Sequence, residues 1–508
     1  MIKKLLLIGA LLASAPSWAV EFLVKFNSVG YSKVLSMHGF AVEDLNAEAE
    51  LLKIDIPKDR LVQVLGQMYQ QEGVEYIVPN ARVHAFTAPL EPQALKAQWH
   101  IAKVNAEKAW SRAGNKGSKK ILVAVIDTGV DYNHPSLVSN MISGYDFHQN
   151  DSDPMDTTGS QNPGHGTHCA GIIGATGVVE GGTIGISPEV SILPIRFLGE
   201  NGGGDLNNGI KAIDYAISKK VDVISASWGA TISRSQATPL LEAIQRAEKA
   251  GVIFVAAAAN DGKNNDKTEV YPANANFENF ISVAASGPND EKPSWSNYGP
   301  KSVHVAAPGL NIMSTVPGGK YENMSGTSMA TPLVSGLVAF LKAQDQSLTG
   351  AQVKAILQTT GAKVNISTQC DCRVDALAAT EMVLDKKMYM VPAAGTYNPN
   401  ETFKIQVFNN NGNVQFQSSN EAVLKVAADG TASAGQEGDA TITATDVNGL
   451  QTFSKVFHIG KAGSKPGNPP SDPGDPGDDP GMGECPVQDP ATCQALCGVI
   501  PDAPWCNK

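Results

Sequence analysis

Between residues 121 and 343 the chain alternates short apolar runs with longer helical patterns, and this alternation constrains the fold more than any other feature. Strand-like runs lie at 121–126, 190–195, 221–227, 252–257 and 302–307, and helical periodicity at 206–218, 239–250 and 328–343. Runs that are apolar at consecutive positions need cover on both faces, which parallel sheets flanked by helices provide. The expectation is an α/β fold with a doubly wound, mainly parallel sheet. In such sheets ligands bind beyond the carboxyl ends of the strands. Asp127, Ser227 and Asn260 each lie at or just past the end of such a run.

The flanking regions have other textures. At 508 residues the chain exceeds one ordinary core, so two to four domains are expected. Residues 1–19 carry Lys3 and Lys4, an apolar stretch, then Ser17 and Ala19 at the −3 and −1 positions of a cut before Val20. That is the pattern of a secretory signal, with an apolar stretch too short to span a bilayer. No other membrane span is expected, and the mature protein is expected to be secreted. Residues 20–90 read as strands at 21–26, 51–56, 74–78 and 82–86, with helices at 42–50 and 58–71, a ferredoxin-like α+β order. Residues 388–460 show short alternating runs around the turn Ala428-Asp429-Gly430, as in a small Ig-like β-sandwich. Residues 461–483 are a linker of Pro, Gly and Asp.

Residues 484–508 hold Cys485, Cys493, Cys497 and Cys506, which in an oxidising compartment read as two disulfides whose pairing the sequence leaves open. Cys370 and Cys372 either pair across a short loop or stay reduced, and Cys169 is the odd one. A formal net charge of −11 argues against a nucleic-acid partner, which usually requires a basic face.

Three glycine-bearing segments stand out: Ile126-Asp127-Thr128-Gly129, His165-Gly166-Thr167-His168-Cys169-Ala170-Gly171 and Gly326-Thr327-Ser328-Met329-Ala330-Thr331-Pro332. Taken singly, Asp127 reads as a turn aspartate, Ser328 as a helix cap, and His165 with His168 as a metal pair. Together they run Asp, His, Ser along the chain, the order of the subtilisin type of triad. The chain resembles the subtilases, and over 98–383 it is similar to their catalytic domain. The His-Gly-Thr-His-Cys run resembles the thiol-containing branch that includes proteinase K and thermitase.

That resemblance implies a serine endopeptidase acting on polypeptides through an acyl-enzyme, with Ser328 as nucleophile, His165 as base and Asp127 as its orienter. It implies Asn260, within Val255-Ala256-Ala257-Ala258-Ala259-Asn260-Asp261-Gly262, as oxyanion donor; the family usually has Gly where Ala259 stands. Ser225-Ala226-Ser227-Trp228-Gly229 resembles the segment that pairs with substrate and lines the primary pocket. Ser227, Trp228 and Gly229 are thus substrate-binding candidates, and uncharged walls predict an apolar or small residue before the cut. Gly202-Gly203-Gly204-Asp205 is expected at the neighbouring substrate edge.

Residues 20–90 resemble an inhibitory propeptide, removed by the enzyme itself between Phe86 and Gln98. Calcium is common in the family as a structural ion, and Asp146, Asp151 and Asp153 are its candidate ligands here; none is required for the chemistry. The alternative reading is an inactive, subtilase-shaped binding or adhesion protein.

Overall fold

A computed structural model of the chain describes residues 19–27, 41–46, 49–69, 73–86, 98–159 and 162–460. The expected linker (461–483), the cysteine-rich tail (484–508) and residues 1–18 of the expected secretory signal lie outside the described residues. The chain divides into two compact units, Met1–Asn80 with Asp472–Lys508, and Ala81–Ser471.

In the first unit β1 (Ala19–Phe26), β2 (Ala41–Asn46), β3 (Leu51–Pro57) and β4 (Val74–Pro79) form an antiparallel sheet in the order β2-β3-β1-β4, with α1 (Leu61–Tyr69) beside it. Phe22, Val24, Ile54 and Ile56 bury one sheet face against Leu61, Val64, Leu65 and Met68. The expected helix at 42–50 is instead a strand over Ala41–Asn46, pairing with β3. Ala41–Asn46 mixes apolar and polar residues at both alternating sets of positions, so its local pattern fixes neither state, and pairing with the edge of β3 decides. The expected strand at 82–86 is present as β5 (Arg82–Ala85), but it lies in the second unit and in a different sheet.

The second unit holds a nine-stranded sheet. Its order is β17 (Ala362–Lys363), β18 (Cys372–Arg373), β14 (Val305–Pro308), β13 (Phe280–Ser286), β12 (Ile253–Ala257), β10 (Val223–Ala226), β6 (Leu122–Asp127), β8 (Ser191–Arg196) and β7 (Tyr145–Asp146). Every neighbouring pair is parallel except β17 with β18. The strand Ile-Phe-Val-Ala-Ala of β12 is buried at all five positions, as a strand covered on both faces must be. The chain runs from β6 outward to β8 on one side and returns to β10 on the other. Asp127 and Ser227 therefore flank the point where the winding reverses.

Two helices carry the motif residues. Helix α4 (His165–Gly174) is buried along its whole length, and α7 (Thr327–Gln344) is buried from Thr327 to Lys342. A helix apolar on all sides belongs in the middle of a large core. They pack closely because Gly336 has no side chain: a Cβ there would lie 3.1 Å from the Ile173 carbonyl oxygen. Helix α8 (Gly350–Thr360) starts with a reciprocal cap between Thr349 and Gln352. Beyond it, residues 389–459 form short strands around a core of their own that includes Met390, Ile405, Leu424, Ile442 and Phe457. No described helix is long and apolar enough to cross a membrane.

Candidate active site

Asp127 ends β6, His165 opens α4 and Ser328 is the second residue of α7, so three elements deliver the three motif residues to one place. All three are essentially inaccessible. His165 Nδ1 lies 2.7 Å from Asp127 Oδ1, and His165 Nε2 has no partner. That pairing places the imidazole proton on Nδ1 and leaves Nε2 as a base. Burial works to lower the His165 pKa, but the Asp127 carboxylate beside it outweighs burial and raises it well above its usual value. Ser328 Oγ donates to the Ser227 carbonyl at 2.9 Å, not to His165.

The Ser328 backbone has its own explanation. A helical carbonyl normally accepts the N–H four residues on, which here belongs to Pro332 and does not exist. Ser227 Oγ (3.0 Å) and Cys169 Sγ (3.4 Å) donate to that carbonyl instead. Cys169 is a buried thiol, its pKa raised by burial, 4.0 Å from His165 Nδ1. Its chemistry here is therefore that of a weak donor in a core position.

Asn260 lies just past β12. Its Oδ1 accepts from both the backbone and the hydroxyl of Thr327 at 2.9 Å, which turns Nδ2 outward as a buried donor without a partner. A Cβ placed on Gly326 would meet Phe86 O at 2.7 Å, Asn260 Nδ2 at 3.2 Å and Ser328 N at 3.5 Å. The Phe86 carbonyl oxygen and these two donors thus crowd one point. Ala259 has φ 90, a conformation that favours glycine, which accounts for the family's usual residue there.

Strand β5 fills the groove beside these residues. It lies antiparallel between β9 (Gly203–Asp205) and β11 (Trp228–Gly229), opposing His84 to Gly203 on one side and Ala85 to Trp228 on the other. Ala85 N donates to Gly202 O at 2.9 Å and Phe86 N to Ser227 O at 3.1 Å. The Phe86 ring packs on Ala259, Val270 and Ala273, and a Cβ at Gly229 would meet two of its ring carbons at 2.8 and 3.0 Å. Ser227, Trp228 and Gly229 all face this strand, though unequally. Trp228 contributes main chain only: its ring is fully buried and packs edge-on against Phe197 at 4.8 Å, so it is not a pocket wall.

Sequence reasoning overlooked a layer behind the triad. Buried Asp156 accepts from Thr128 Oγ1 (2.9 Å), from Thr167 N (2.9 Å) and Oγ1 (2.6 Å), and from Asn162 Nδ2 (3.2 Å). Burial raises its pKa, with these hydrogen bonds opposing. Asn162 Oδ1 accepts from Gly164 N and His165 N, satisfying the open end of α4. A local signal for this layer is Asn162 itself, a cap-forming residue type three positions before the first residue of α4.

The proposed calcium ligands do not fit a metal site. Asp146 is ion-paired with buried Arg196 at 3.0 Å, and its other oxygen accepts from His148 N and Gln149 N. A carboxylate already neutralised by a guanidinium is a poor ligand for a cation. Asp151 and Asp153 instead accept from their own loop, and Asp153 also from the Tyr132 hydroxyl at 2.8 Å. Cys370 and Cys372 are disulfide-bonded to each other.

Residues 118–391 match the model of the subtilase family, Peptidase_S8. The chain belongs to the subtilase family. This subtilase is 39% identical over 277 residues to thermitase of Thermoactinomyces vulgaris, covering 54% of this chain and 92% of thermitase. It is 39% identical over 292 residues to a thermophilic serine proteinase of Bacillus sp. (strain AK1), covering 58% and 68% of the two chains. It is 40% identical over 247 residues to the major intracellular serine protease of Bacillus subtilis (strain 168), covering 48% and 75%. The subtilase is a subtilisin-like serine endopeptidase, and the reading as an inactive binding or adhesion protein is not favoured.

Proposed function

We propose that the chain is a secreted zymogen whose catalytic residues are Asp127, His165 and Ser328, and whose own Phe86–Thr87 bond is its first substrate. In the attack the Ser328 hydroxyl turns from the Ser227 carbonyl to His165 Nε2, which takes its proton as Oγ bonds to the Phe86 carbonyl carbon. Asp127 holds the ring and stabilises the imidazolium. The negative charge forming on the Phe86 oxygen is met by Asn260 Nδ2 and Ser328 N, the latter on the first turn of α7 where the helix dipole adds to it. His165 then passes the proton to the Thr87 amine as the C–N bond breaks. Water hydrolyses the acyl-enzyme by the same base.

The observation that carries this reading is that the Phe86 carbonyl oxygen, Asn260 Nδ2 and Ser328 N all lie within 3.5 Å of one point beside Gly326, Nδ2 being buried and unsatisfied, with the strand before Phe86 paired on both edges. It supports a P1 preference for large apolar residues, because the Phe86 ring packs on uncharged Ala259, Val270, Ala273 and Gly229. After the cut, 20–86 becomes a product still paired along the groove, and so an inhibitor until it is degraded.

Ser328→Ala should accumulate as the precursor without its secretory signal, and the wild-type mature enzyme should begin at Thr87. Terminal sequencing of both proteins from a protease-free preparation tests this. A Ser328→Ala protein that still matured, or a first cut elsewhere than after Phe86, would overturn the reading.

A further inference from the structure

The turn that carries Asn260 is strained, and something must hold it. Ala259 has φ 90 and Gly262 φ 67, so the chain twice enters a region costly for residues with a Cβ, once without glycine. Such a conformation persists only where its surroundings over-determine it. Here they are the segment 295–298. Asn297 Oδ1 accepts from both Asp261 N and Lys263 N at 2.9 Å, and Asn297 N donates to the Ala259 carbonyl at 2.9 Å. Gly262 N donates to Trp295 O, and Tyr298 N to Lys263 O.

The Asn297 side chain is itself held. Its Nδ2 donates to Asn265 Oδ1 at 2.9 Å, and Asn265 Nδ2 donates to the Ala258 carbonyl at 2.9 Å. Both asparagines are completely buried. One pair of amides therefore binds the backbone at 258 before the strained residue and at 261 and 263 after it. An amide suits position 297 because its oxygen accepts two N–H groups while its separate NH2 donates to an oxygen on the other side. No other described hydrogen bond from a side chain reaches the backbone of Asp261 or Lys263.

We infer that Asn297, braced by Asn265, is a positioning residue for the oxyanion hole: it fixes the 259–261 turn and through it the direction of the Asn260 amide. Asn297 touches no reacting atom. Thr327 sets the rotation of the Asn260 side chain from one end, and the Asn297–Asn265 pair sets the main chain from the other. This rests on the proposed role of Asn260.

A double-mutant cycle separates positioning from general stability. Activity is measured on a peptide with Phe at P1, per active site titrated with a phosphonate, so that unfolded protein does not count. Asn260→Ala should lose about 10²–10³ in kcat. Asn297→Ala should lose about 10-fold in kcat, part of that same donor's contribution, with KM changed less than two-fold. In Asn260→Ala/Asn297→Ala the second substitution should cost less than about two-fold, because a donor already removed cannot be misdirected. If Asn297→Ala does not fold, Asn297→Ser keeps a hydroxyl acceptor and serves in the same cycle with a smaller loss.

Losses that multiply in the double variant, or an Asn297 variant with unchanged kcat, would overturn the inference. A wild-type kcat in Asn260→Ala alone would instead remove the oxyanion assignment beneath it.

Discussion

His165 feels burial and the Asp127 carboxylate in opposite senses, and the carboxylate prevails. The imidazolium is thus favoured to higher pH than in a free histidine. The sign follows: a raised pKa adds stability that is complete below about 6.5 and is lost as pH rises through the folded value. The neutral base needed for attack appears over the same upper range. In the Ser328→Ala precursor, where no cut vacates the groove, the His165 ring should titrate above 6.5 by NMR, and Asp127→Asn should move the midpoint down. A midpoint at or below 6.5 with Asp127 intact would contradict this account. Residue identity made Asp127, His165, Ser328 and Asn260 legible, because each sits in a local motif. Asp156, Asn265 and Asn297 were not, because their partners are distant in sequence: Asn265 and Asn297 lie 32 residues apart, and Asp156 joins segments around 128, 162 and 167.

At the scale of elements, the strand pair β9 and β11 holds an extended segment by main-chain bonds, and Gly229 leaves room for the side chain that follows. A methyl at 229 would meet the Tyr271 carbonyl oxygen at 2.6 Å and the Phe86 ring at 2.8 and 3.0 Å. Gly229→Ala should lower kcat/KM for Phe at P1 relative to Ala at P1 by about 10-fold or more, within the range that one methylene-sized change in a pocket produces. The ratio is the measurement, so that partial misfolding, which reduces both substrates equally, does not enter. An unchanged ratio would place the Phe86 ring outside the specificity pocket. The βα rhythm located most of these elements within a few residues, including Leu206–Ser218 at both ends. It missed β13, although Phe280–Ser286 is buried throughout, because Ala and Ser dilute its apolar run.

Across the whole molecule, the described C-terminal strands share buried residues with the catalytic core. Tyr389 and Ala393 are buried in the same cluster as α7 and α8, and the Tyr389 hydroxyl accepts from Gln352 Nε2 at 3.2 Å. Removing residues 388–508 should leave kcat per titrated site within about two-fold and lower Tm by about 5 °C, the scale expected for re-exposing one or two large side chains. A ten-fold loss of kcat would make these strands part of the catalytic machinery. The sequence by itself determined the sheet class, the family and which Asp, His and Ser residues meet, since these follow from periodicity, local motif and residue type. Tertiary structure alone decided that 82–85 pairs with β9 and β11 and not with β1–β4, that Trp228 faces the core, and that Asp146 meets Arg196. Each of these is a choice among partners far apart in the chain, all compatible with the same local pattern, and the available sheet edge, cavity or charge settles it.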